Sequence, residues 1–245
     1  DNENKIKRKI GVVMGGDHSL YGKLTAAENL EFFGSFYALK QKQINKKVIE
    51  LLNLFGLTQK KDILVETFSK GMKQKLLIAK ALLHEPEILI LDEPCNGIDI
   101  VTNLEVKNLL KKLNREYSKT IILTTHNLYD AEDLCSRLCI LKEGQIIAEG
   151  AFNEVYQSYF KNAIISMVLR DELSDESKEN LIKEPNVIDV IKKEEMREYD
   201  IVIDKEYGIF NLNNILQYIN IDNLISINEK KITLEFLLQY LVEKK

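Results

Sequence analysis

The run ILIL at residues 88–91 stands between Pro86 and Asp92, too short for a helix of its own and without a polar face. An uninterrupted apolar run of this length reads as a strand buried on both sides, the pattern of a parallel sheet. Parallel strands need neighbours reached through crossover helices. The chain offers both. IGVV (Ile10–Val13) and TIILTTH (residues 120–126) read as further strands. FSKGMKQKLLIAKALLHEP, from Phe68, reads as a glycine-containing loop leading into a helix that ends before Pro86, and residues 101–116 return to a helical pattern. The alternation predicts an α/β domain.

Around this core the reading is more local. Thr25 is placed as an N-cap, with Glu28 three residues later completing a capping box for the helix in TAAENLEFFGSFYAL. KKVIELLNLF, residues 46–55, reads as a short amphipathic helix stopped near Gly56. CILKEGQIIAEG, residues 139–150, reads as two edge strands around residues 142–144. Past Gly150 the style changes: 164–170, 187–192 and 199–203 are strand candidates, while 175–184, 211–218 and 233–243 look helical. The expected organisation is a domain over 1–150 and a small α+β extension over 151–245.

Composition removes some function classes. With 34 Lys and Arg against 38 Asp and Glu, the net charge of -4 gives no global attraction to nucleic acid. No stretch approaches the roughly 20 apolar residues that span a bilayer, so the chain is not itself expected to be a permease, although it can dock onto one. Cys95, Cys135 and Cys139 lack accompanying ligands at metal spacing and read as buried or semi-buried thiols.

Three places carry chemistry. Asp92 and Glu93 follow ILIL at the carboxyl end of a parallel strand, where open α/β sheets bind ligands. Asp92 is suited to magnesium and Glu93 to orienting and deprotonating a water that attacks a phosphoryl group; the competing reading is an N-cap pair for the next helix. His126 closes the neighbouring strand, where an imidazole can donate to a transferred phosphate, and adjacent parallel strands would bring it to the two carboxylates. Ser69, Lys70, Gly71 and Met72 open a helix flanked by Lys73 and Lys75, a helix entrance suited to an anion, with an ordinary capping serine as the alternative.

This ordered set resembles the ATP-binding subunit of ABC transporters over about residues 10–150. FSKGM is similar to the family's signature segment, ILILDEP to its Walker B segment, NGID with Asp99 to its D-loop, and TTH to its histidine switch. The resemblance implies a P-loop-type ATPase core with a helical signature subdomain, ATP and Mg2+ as ligands, and a role for each residue. Asp92 would coordinate magnesium, Glu93 activate water and His126 sense the γ-phosphate. Ser69, Lys70, Gly71 and Met72 would contact nucleotide held mainly by the opposite subunit of a homo-dimer or paired ATPase, with Asp99 coupling the two sites. It also implies a separate transmembrane permease as partner, contacted near residues 10–33, and a place at the inner, cytoplasmic face of the cell membrane.

Three departures qualify the resemblance. No G-x-x-x-x-G-K-[ST] motif occurs in the 245 residues. A chain opening on Asp1 is therefore expected to be an excised part of an active ATPase, inactive alone; the alternative is a naturally truncated subunit that donates only its signature face. Gly15 or Gly16 stands where the family's Q-loop glutamine is expected, and neither supplies a side-chain oxygen, with Asp17 as an indirect substitute. Lys70 and Met72 depart from the commonest signature and fit a drug-, peptide- or lipid-exporting branch, with antibiotic resistance among its roles. ITLEFLLQYL, residues 232–241, resembles the terminal helix of such exporters. Leu234, Phe236, Leu237, Leu238 and Leu241 are expected to pack against the extension or a second subunit.

Overall fold

A computed structural model describes residues 2–14, 19–37, 39–159, 162–193, 197–204, 212–230, 233–235 and 237–238. The chain divides into two compact units, Asp1–Cys135 and Ser136–Lys245.

In the first unit, helix α1 (Asn2–Lys9) leads into β1 (Ile10–Val13), followed by α2 (Ala26–Ser35), α3 (Gln41–Leu54), α4 (Lys70–Ala81), β2 (Ile88–Asp92), α5 (Ile100–Arg115), β3 (Thr120–Thr124) and α6 (Leu128–Leu134). The strands form a parallel sheet in the order β1-β2-β3, so the ILIL run is its central member. Its alternate residues Leu89 and Leu91 are fully buried against a core that includes Leu76, Leu77 and Ile78 of α4 and Val106, Leu110 and Leu113 of α5. The other face differs from the expectation of two-sided burial. Val12, Ile90 and Ile122 pair in one register row across the sheet and are 45%, 36% and 54% exposed. The helices α4 and α5 cover one side only of this apolar row's sheet.

Local signals explain the helices. Thr25 Oγ1 accepts from the Glu28 N–H at 3.2 Å and Glu28 Oε2 accepts from the Thr25 N–H at 2.8 Å, the reciprocal capping expected. These bonds, the main-chain one foremost, hold the Glu28 carboxyl below its usual range. Helix α3 begins earlier than residue 46: Gln43 Oε1 accepts from the Lys40 N–H at 2.9 Å, and Ile44 and Val48 bury the added turn. It ends before Gly56, whose φ of +66° is a left-handed conformation that glycine adopts without penalty. Strand β3 stops at Thr124 rather than His126, because Asn127 caps α6 by accepting from the Tyr129 and Asp130 N–H groups.

The second unit opens with the antiparallel hairpin β4 (Arg137–Lys142) and β5 (Gln145–Ala151), turning through Glu143 and Gly144, then α7 (Phe152–Tyr159). The boundary between units therefore falls ahead of Gly150, because the hairpin pairs with itself. There follow β6 (Asn162–Leu169), α8 (Asp175–Ile182), β7 (Val187–Lys192), β8 (Glu198–Asp204), α9 (Asn213–Leu216) and β9 (Leu224–Glu229). The antiparallel order β7-β8-β6-β9 is a split β-α-β arrangement. Met167, Ile201, Ile203, Leu181 and Ile215 form its core. Strand β9 has no counterpart in the sequence reading, and α9 is shorter than residues 211–218. Of the terminal segment, Leu234 and Leu237 are buried; Phe236 and Leu241 lie outside the described residues.

The thiols separate by environment. Cys95 is buried, Cys135 half-buried, and Cys139 exposed on β4, which corrects the expectation that all three are shielded. Burial first, and then the charge of Asp130, pushes the Cys95 thiol up to about 11. Since the thiolate is the nucleophile, native alkylation near neutral pH is expected to modify Cys139 well ahead of Cys95. Peptide mapping after a brief iodoacetamide pulse checks this. Equal labelling of the two would contradict the packing around Cys95.

Candidate active site

The carboxyl ends of β2 and β3 carry the predicted trio. Parallel pairing sets Asp92 beside Thr124, and the Thr124 hydroxyl donates to Asp92 Oδ1 at 2.5 Å. The next residue turns sharply, with Glu93 at φ +48°, and its N–H donates to the Thr124 carbonyl at 3.1 Å. That turn swings the Glu93 carboxylate toward the β3 end. Glu93 Oε1 accepts from the His126 main-chain N–H at 3.0 Å and lies 2.7 Å from His126 Nδ1. The Glu93 side chain is 27% exposed and that of His126 73%, so the pair faces solvent with the imidazole outermost. Convergence of Asp92, Glu93 and His126 is thus observed. The competing reading fails, because Asp99, and not the Asp92–Glu93 pair, caps the following helix.

Ser69 is the N-cap of α4 and accepts from the Met72 N–H at 3.2 Å. Lys70 and Ser69 are exposed, Met72 is half-buried and Gly71 is buried. Gly71 has a definite reason to lack a side chain: a Cβ there would overlap the Thr102 γ-methyl on α5. Thr102 in turn is held by Asp99, whose Oδ1 accepts from the Thr102 N–H at 3.0 Å and whose Oδ2 accepts from its hydroxyl at 2.7 Å. The main-chain bond first, then the hydroxyl, keeps the Asp99 carboxyl below its usual range. Gly71 and Asp99 are therefore joined through Thr102, a residue outside the motifs. Thr102 lies three residues past the aspartate, the N3 position of α5, which is the available clue. Thr124, inside the TTH motif, likewise positions a site carboxylate that the motif's histidine alone does not indicate.

The donor set suits the implied ligands. Asp92 supplies a hard oxygen at a strand end, as magnesium requires, and α4 presents a helix N-terminus of the kind that receives phosphate. Gly15, Gly16 and Asp17 lie outside the described residues. Nearby, Tyr21, Phe32, Phe33 and Phe36 form an aromatic cluster with ring centroids 5.0–6.3 Å apart; Tyr21 is 51% and Phe36 67% exposed. Lys80 lies 4.6 Å over the Phe33 ring and donates to Ser19, and its burial lowers its pKa.

A parallel sheet with carboxylates at its strand ends agrees with the P-loop-type ABC ATPase fold of the solved structures that this chain resembles. Residues 1–96 match the family model described as ABC transporter. NatA, an ABC transporter ATP-binding protein of Bacillus subtilis, is 37% identical over 154 residues, 63% of this chain and 62% of that protein. The linearmycin resistance ATP-binding protein LnrL of the same organism is 39% identical over 165 residues, 67% and 52% of the two. A methionine import ATP-binding protein, MetN 2 of Bacillus cereus, is 35% identical over 62% of this chain and 44% of its own length. Among solved structures, the ATP-binding cassette MJ0796, a dimer in a post-hydrolysis state with ADP and Pi, superposes with a TM-score of 0.54 at 33% identity, covering 62% of this chain and 67% of that one. The chain carries an ABC transporter ATPase domain. The matched part spans between 44% and 62% of these curated relatives' lengths.

Proposed function

We propose that the chain belongs to an ATP-binding and ATP-hydrolysing subunit that powers export through a separate membrane permease. The observation that carries this reading is the Glu93 carboxylate held by His126 beside Asp92 at two adjacent strand ends. In it, Asp92 would hold Mg2+, Glu93 would orient and deprotonate the attacking water, and His126 would donate to the γ-phosphate. When bound there, Mg2+ would supply neutralisation of the charge on the transferred phosphoryl group. Ser69, Lys70, Gly71 and Met72 face nucleotide held by a second ATPase subunit, and Asp99 sits between the two sites.

Three observations support the finer points. The exposed aromatic cluster around Phe36 offers an apolar surface to a permease at the cytoplasmic face of the membrane. The signature form with Lys70 and Met72, and the similarity to a resistance protein, favour export over the import named for the methionine relative. The exposed row Val12, Ile90 and Ile122 favours covering of that face by a phosphate-binding segment over a subunit that works without one. Residues 151–245 serve as an accessory or dimer-supporting part in this scheme, and nucleic acid is no partner.

The test is pairing. In the ATPase assembly carrying its phosphate-binding loop, MgATP is expected to double the subunit mass seen by light scattering. Ser69→Arg, placing a bulky cation at the α4 cap, is expected to abolish the doubling while leaving ATP bound to each subunit. Undiminished pairing in that variant would remove the signature face from the nucleotide site.

A further inference from the structure

Helix α5 is gripped on two sides. Toward α4, the Thr102 γ-methyl fills the space left by Gly71, and Glu105 pairs with Lys75. Toward α6, Lys107 Nζ lies 2.6 Å from Asp130 Oδ1 and Lys111 Nζ lies 2.5 Å from Asp133 Oδ1. The Lys107–Asp130 pair is the deepest of these clasps, with side chains only 14% and 6% exposed. Among the described residues, Asp130 and Asn29 are the polar residues classed as buried. Asp130 sits in the first turn of α6, whose cap Asn127 directly follows His126. One end of α5 therefore touches the signature turn, and its middle holds α6, whose cap Asn127 directly follows His126.

We propose that α5 couples these two sites, with Thr102 and Lys107 as positioning residues: displacement of the signature turn shifts α5, and the buried Lys107–Asp130 pair transmits the shift to His126. The proposal rests on the reading of both sites given above and adds a regulatory link between them. In that reading the signature turn contacts nucleotide on the partner subunit, whereas His126 contacts nucleotide on its own. A clasp from one to the other tells His126 whether the neighbouring site is engaged. Packed elements with discrete contacts transmit small displacements in this way, and demonstrated energetic coupling is what distinguishes transmission from proximity.

The chain has three histidines, His18, His84 and His126, which makes the test spectroscopic. The 245-residue chain is labelled with 13C-histidine, and the His126 imidazole cross-peak is assigned by its loss in His126→Gln. Gly71→Ala, which drives a methyl against Thr102, is expected to move the His126 peak. It should leave His84, stacked on Tyr37 and bonded to the Ile10 carbonyl, in place. The double variant Lys107→Met with Asp130→Leu removes the ionic clasp but fills its space with apolar atoms, a replacement that buried pairs tolerate. In that background Gly71→Ala is expected to leave His126 unmoved. Where Gly71→Ala does not fold, Thr102→Val, deleting the hydroxyl that Asp99 accepts from, supplies the perturbation. A His126 peak indifferent to both perturbations, an equal response without the clasp, or equal movement of His84 overturns the proposal. The measurement uses no nucleotide, so the link and the ATPase reading stand or fall separately.

Discussion

Glu93→Gln is expected to lower steady-state ATP turnover of the complete assembly by about 10²–10⁴-fold, the usual contribution of a positioned general base, while ATP binding persists. The geometry makes this variant informative. A glutamine keeps the shape of Glu93, and its carbonyl oxygen still accepts from the His126 N–H that lies 3.0 Å from Glu93 Oε1. What it loses is the capacity to take a proton from water. The contacts of Asp92 with Thr124 and of Ser69 with Met72 do not involve the Glu93 side chain, so nucleotide affinity has no reason to fall. Equilibrium binding of a fluorescent ATP analogue and phosphate release, measured on the same preparation, separate the two quantities. Turnover at the wild-type rate would remove Glu93 from the chemistry.

The largest expected effect on stability lies away from the strand ends. Lys107→Met should cost about 3–5 kcal/mol, because it strands a carboxylate whose partner is gone and which water barely reaches. Asp130 is 5% exposed, and the second lysine nearby, Lys111, is engaged with Asp133. The double change Lys107→Met with Asp130→Leu should recover most of that loss. Urea unfolding of wild type, both single variants and the double variant completes the cycle, and additive losses would show that the pair contributes no coupling. The pair also has a pH signature. Burial alone would lower the Lys107 pKa, but the hydrogen bond and charge of Asp130 outweigh it, and the net direction is upward. A raised lysine contributes stability that is present below its unfolded value of about 10.4 and is lost as pH climbs through the folded one. On the lysine's account the clasp therefore weakens on the alkaline side.

How much of this was legible in the sequence depended on range. The ILIL strand announced itself because burial on its packed face and its flanking proline and aspartate act within a few residues. The Thr25–Glu28 box did so because both partners lie within one turn. Asp92, Glu93 and His126 were legible together because parallel pairing places successive strand ends side by side. Other features were hidden by distance or brevity. The start of α3 lacks a Ser, Thr, Asp or Asn cap, so its first turn carried no signal. Helix α6 is seven residues long, and its cap lies in a stretch that reads equally as the end of a strand. Lys107 and Asp130 are 23 residues apart in sequence, and a lysine on an amphipathic helix ordinarily belongs to its solvated face. Only the packing of α5 against α6 turns it inward.

The backbone of Glu93 carries a tension between durability and use. At φ +48° an L-residue other than glycine is strained by about 1–2 kcal/mol. A glycine there would relax the turn, so on the role proposed for Glu93 a lineage screened only for resistance to heat would drift toward an inert sequence. In that reading, keeping a carboxylate at this corner demands selection for turnover itself, and thermostabilised descendants of this chain should be sequenced first at position 93.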